Sequence, residues 1–121
     1  MTKGQLEAKV CEAVSRFEVE LMGRGPKKIK ALVANELLVI RLQGFLSQAE
    51  QRLFETNQGI GSWKKIRALL FESNIDSFQS LLKEIIPVEI VSVHSDVSTK
   101  TGEKMIVVTF GECIEATLND L

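Results

Sequence analysis

Two runs rich in β-branched residues, 88–97 and 104–110, flank the polar stretch Thr99-Lys100-Thr101-Gly102-Glu103. Gly102 supplies the positive φ that a short reversal needs, so the two runs should pair as an antiparallel hairpin. An isolated hairpin is marginal in water, and residues 105–110 are apolar at almost every position. Such a strand needs neighbours beside it and cover on its faces. The rest of the chain therefore has to provide more strands and a layer of helices.

Upstream, Leu6, Val10, Val14, Phe17 and Leu21 recur every three or four positions, with Ala13 beside them. This spacing predicts an amphipathic helix over residues 2–22, stopped by Gly23, with Lys9, Glu12, Arg16, Glu18 and Glu20 on its solvent side. Residues 23–28 (GRGPKK) then read as a loop. Residues 29–34 and 37–42 are two short β-prone runs around Asn35-Glu36, a second hairpin in which Leu38, Ile40 and Leu42 share a buried face. Ser47 with Glu50 fits a capping box and starts a helix marked by Ala49, Leu53 and Phe54.

Gly59 and Gly61 predict a break within residues 57–61, because glycine weakens a helix interior. Ser62 is a candidate cap for a long helix through Trp63, Ile66, Leu70, Phe71, Ile75, Phe78, Leu82 and Ile85, which Pro87 ends. Residues 111–121 fit either a short helix or a frayed end. The element order α-β-β-α-β-β predicts an α+β fold of two layers, a four-stranded antiparallel sheet packed with helices. It hints at a duplicated α-β-β unit, and 121 residues suit one domain over the whole chain.

Composition removes several function classes. A formal net charge of −1 gives no global positive field for nucleic acid or an anionic membrane. No apolar run approaches the ~18 residues of a membrane span, and the first residues lack a signal-peptide core, so a cytoplasmic chain without membrane insertion is expected. Cys11 and Cys113 make neither a zinc pattern nor a disulfide framework. No catalytic motif, metal site or cofactor site is recognisable.

Two places hold candidate chemistry. Arg24, Gly25, Lys27 and Lys28 combine cations with a flexible backbone, a candidate for small-anion or nucleotide binding, although the spacing is not that of a P-loop. A solvated connector is the plainer reading. Ser92, His94 and Asp96 alternate along a strand and share a face, with Lys100 in the following turn. A histidine beside a carboxylate can act as a base, but a sheet face turned to a partner, with Val91, Val93 and Val97 buried behind it, is the preferred reading. Trp63, though flanked by Lys64, Lys65 and Arg67, falls in the apolar register of its helix and is assigned to core or interface. The apolar strand 105–110 needs a second cover, which makes a homodimer expected unless the tail supplies it.

Several of these segments carry a family resemblance. The stretch FEVELMGRGPKK after a TKGQLEAKV helix, LQGFLSQAE before the second helix, and VSVHSDVSTKTGE before an apolar strand together resemble the MpsC-like proteins, over roughly residues 1–110. That family is named for a sodium-translocating, membrane-potential-generating system. The resemblance implies a soluble, non-enzymatic accessory or regulatory protein of cation or bicarbonate transport, associated with a membrane complex, and it carries over no catalytic residues. The glycines at 57–61 and the tail after Gly111 depart from the family pattern.

Overall fold

The computed structural model describes residues 1–44 and 46–121, so Phe45 of the LQGFLSQAE segment lies outside the described residues. The elements run α1 (Lys3–Met22), β1 (Lys28–Ala34), β2 (Leu37–Gln43), α2 (Gln48–Leu53), α3 (Asn57–Ser73), α4 (Ile75–Ile85), β3 (Ile90–Val97) and β4 (Lys104–Phe110), followed by a 3-10 helix, Glu115–Asp120. The chain is thus α+β, with one antiparallel sheet of four strands in the order β1-β2-β4-β3. The two hairpins meet through their second strands, β2 and β4.

α1 starts at a capping box in which the Gln5 amide donates to Thr2 Oγ1 at 3.1 Å and the Thr2 amide to Gln5 Oε1 at 2.9 Å. Gly23 ends it with φ of 80°, its amide bonded back to Val19. Leu6, Val10, Val14 and Phe17 lie against Val33, Leu38, Ile40, Leu42, Ile106, Val108 and Phe110, so one sheet face is sealed by helices. Each fully buried aliphatic or aromatic side chain of this kind contributes about 1.5–3 kcal/mol.

The central helices differ from the sequence expectation in two places. The break falls at residues 54–56 rather than 57–61, because Thr56 caps α3, its Oγ1 accepting from the Gly59 amide at 2.9 Å. Ser62 is therefore inside a helix, not its cap. The long helix is also divided at Asn74, whose side-chain amide donates to the Leu70 carbonyl at 2.8 Å while its backbone leaves helical geometry. This bend lets Phe71 and Phe78 meet in the core with ring centres 5.3 Å apart.

Gly59 stands where a Cβ would lie 2.1 Å from the Leu53 carbonyl oxygen, whereas a Cβ at Gly61 would meet nothing within 4 Å. Close approach of α2 to α3 therefore explains the first glycine and not the second. Gly59→Ala is expected to cost about 1–3 kcal/mol through overpacking, and Gly61→Ala to stabilise by up to ~1 kcal/mol. Urea melts of the two variants check the opposite signs.

The tail settles into the 3-10 helix with Ile114 buried, the Ile114 amide donating to the Asn35 carbonyl at 2.7 Å. It closes the end of the helix layer and does not cover the second sheet face. That face carries Leu32, Val39 and Val107 in one row with His94, and Lys30, Arg41 and Met105 in the next with Asp96. Leu32 is 54% exposed there.

Candidate functional site

The predicted alternation on β3 holds from Ser92 onward. Ser92, His94 and Asp96 pair with Thr109, Val107 and Met105 and share the sheet face away from the helices. Val91 does not lie buried behind them: a bulge between Ile90 and Ser92 makes it the extra residue, 62% exposed, and seats Ile90 opposite Phe110 instead. Asp96 does not engage His94. Its Oδ1 accepts from the Val97 amide at 2.8 Å and lies 3.6 Å from Lys64 Nζ. Lys100 is exposed in the turn, whose Glu103 bonds Arg41 at 2.7 Å across the sheet.

The GRGPKK loop stands at the opposite edge of the sheet. Arg24, Lys27 and Lys28 are exposed, Gly25 is half-buried against Val19, and the Lys27 amide donates to the Gln43 carbonyl. Three strand spacings, about 14 Å, separate β1 from β3, so the two candidate places do not converge. Among the described residues, no group of three or more His, Cys, Asp or Glu could hold a metal ion.

The two edges of the sheet differ in their backbone chemistry. In β1 the outward amide of Val33 donates to Glu7 Oε2 at 2.8 Å, and Cys11 Sγ lies 3.9 Å from the outward Ile29 carbonyl, so α1 blocks this edge. Burial there pushes the Cys11 thiol up, and the Glu7 charge adds to it, while the Ala31 amide opposes both. In β3 the Ser98 amide bonds inward to Glu103, and inward and outward residues alternate from that point. Val93, Ser95 and Val97 therefore turn their N–H and C=O groups away from β4. Among the described residues, only the Val97 amide of these finds a side-chain partner, in Asp96.

A cleft of about 200 Å³ runs between this edge strand and α3, with Lys64, Ala68 and Glu72 on the helix side and Val93, Ser95 and Val97 on the strand side. Its base is built from buried charge. Lys104 Nζ donates to Glu18 at 3.0 Å and stands 4.6 Å from the centre of the Phe71 ring. A second hub joins α2 to α3, where Glu50 Oε2 accepts from Trp63 Nε1 at 2.8 Å and from Arg67 Nε at 3.0 Å while Oε1 accepts from the Ser47 amide.

The amphipathic pattern sets Glu18 on the solvent side of α1, yet it is buried. The missed signal is its position four residues after Val14 and one after Phe17, inside the apolar stripe. Arg67 similarly shares a helix face with Trp63 and Phe71, both four residues away. Glu50 was legible only as a cap. Trp63 is core, as expected of its register.

Fold and surface together define a small two-layer α+β protein whose described residues leave one sheet face uncovered and one strand edge open. The chain belongs to the MpsC family: the model described as "Na+-translocating membrane potential-generating system (MpsC)" matches residues 2–112. A similar protein is the "Uncharacterized protein YbcI" of Bacillus subtilis (strain 168), 27% identical over 120 residues that cover 99% of this chain and 97% of that protein. No solved structure matches the chain.

Proposed function

We propose that this chain is a non-enzymatic accessory protein that works as a homodimer on the cytoplasmic side of a membrane cation or bicarbonate transport complex. The observation that carries the docking role is the uncovered sheet face, where Leu32, Val39 and Val107 form an apolar row flanked by Lys30, Arg41 and Asp96. A sheet with one face sealed by helices needs no apolar residues on the other for its own core, and an apolar centre with a charged rim is the anatomy of a protein interface. The family description supports the transport link. Among the described residues no helix is long and apolar enough to cross a membrane, so attachment would run through a membrane partner.

The test is affinity capture of tagged protein from detergent-solubilised cells. Recovery of an integral membrane transport component, strongly reduced for Leu32→Glu, is expected. Capture of soluble proteins alone, or undiminished capture by Leu32→Glu, overturns the docking role.

A further inference from the structure

We propose that two copies of this chain join edge to edge through β3, antiparallel and centred on Ser95, so that their four-stranded sheets become one continuous sheet. The inference rests on the homodimer proposed above and names its surface. The first support is the asymmetry of the edges. Helix α1 occupies an outward amide and an outward carbonyl of β1 with Glu7 and Cys11, whereas the outward groups of Val93 and Ser95 have no partner among the described residues. An open row of backbone donors and acceptors is met most fully by another strand.

The second support says which strand. Residues 92–98 read Ser-Val-His-Ser-Asp-Val-Ser, nearly a palindrome about Ser95. When the strand is paired antiparallel with itself at Ser95, Val93 meets Val97 of the second copy on the cleft side. His94 meets Asp96 of the second copy on the open face, and Ser92 meets Ser98. Each cross-strand pair is complementary, and each occurs twice about the twofold axis. The pairing window has the same centre, since the bulge at Val91 ends regular pairing on one side and the turn after Ser98 ends it on the other.

The third support lies on α3. Lys64, Ala68 and Glu72 recur at one-turn intervals along the cleft beside the edge. A twofold axis through Ser95 turns these flanks toward each other, Lys64 of each copy toward Glu72 of the other. Ala68, the smallest side chain of the three, falls between them. Asp96 has a double part in this arrangement. In the single chain its carboxylate occupies the Val97 amide, the donor that Val93 of the second copy would take. On pairing, the carboxylate is released to His94 of the second copy.

Sedimentation equilibrium of the full chain tests the proposal. The wild type is expected at twice the chain mass of 13.5 kDa, and Ser95→Pro at the single mass with unchanged circular dichroism, since proline on an outward edge position removes no ladder bond within the chain. Asp96→Lys is expected to weaken association roughly tenfold by removing the carboxylate that would accept from His94 in each of the two pairs, and His94→Asp with Asp96→Lys to restore it. Leu32→Glu is expected to leave the mass unchanged. A single-chain mass for the wild type at high micromolar concentration overturns both this proposal and the homodimer reading. A dimer that survives Asp96→Lys undiminished, or that Leu32→Glu dissolves, overturns the edge assignment alone.

Discussion

Glu18→Ala is expected to cost about 3–5 kcal/mol, because it leaves the Lys104 ammonium buried without its carboxylate. Against a total stability of about 5–15 kcal/mol for a domain of this size, such a loss is a large fraction of the whole and brings a chain at the low end of that range close to unfolding. The side chains of Glu18 and Lys104 are only 2% and 6% exposed, so water cannot take over the missing partner as it would at a surface pair. The Phe71 ring under the ammonium compensates only in part. The double replacement Glu18→Leu with Lys104→Met is expected to recover most of the loss, since apolar groups of similar volume need no partner. Urea unfolding of both variants measures this, and a Glu18→Ala cost below about 1 kcal/mol would show that the pair is solvated in solution.

Glu50 is the second position where a large effect is expected. Its carboxylate caps α2 and holds Trp63 and Arg67 of α3, so Glu50→Ala removes a cap and three part-buried bonds, at about 3 kcal/mol together. Burial pushes the Glu50 pKa up, but donation from Trp63, Arg67 and the Ser47 amide, with the Arg67 charge, outweighs burial and holds it below the ordinary glutamate value. A carboxyl whose pKa is lower in the folded state contributes stability above its unfolded pKa of about 4.3 and loses it as pH falls through the folded one. Chain stability is therefore expected to fall from about pH 5 downward. Glu50→Gln should flatten that slope without abolishing it, because Glu115 is held low too, first by the Asn35 amide and then by Lys3. Urea midpoints across the acid range would read both slopes.

Strands and hairpins were legible because period-two alternation and turn residues are local signals. β4 spans the 104–110 run read from the sequence, and Asn35, with φ of 56°, turns the first hairpin without the glycine usually favoured there. The helix boundaries were less legible. The division at Asn74 is a contest between a side-chain amide and the helix ladder, which an apolar register running on through Ile75 and Phe78 conceals. The displaced break at Thr56 has a similar cause, since a threonine cap can place glycines inside a first turn, where one of them is needed for close packing.

The surface was half legible. Ser92, His94 and Asp96 were placed together on one face, but the bulge that exposes Val91 depends on the depth at which Ile90 meets Phe110, which no local pattern encodes. The edge chemistry was hidden for the same reason. Strand order decides which backbone groups are left over, and that order is a property of four strands at once.

The blocked edge of β1 has a consequence for assembly. A sheet with two bare edges can recruit copies without end, each addition presenting a fresh template, which is the geometry of a fibril. Here Glu7 and Cys11 close one edge from the same helix that seals the core, so the edge cannot be bared without dislodging α1. Whatever strand β3 accepts, growth stops after that one addition. Loosening α1 would therefore do more than destabilise the chain: it would bare a second edge and turn the proposed self-limiting pair into a polymerising unit.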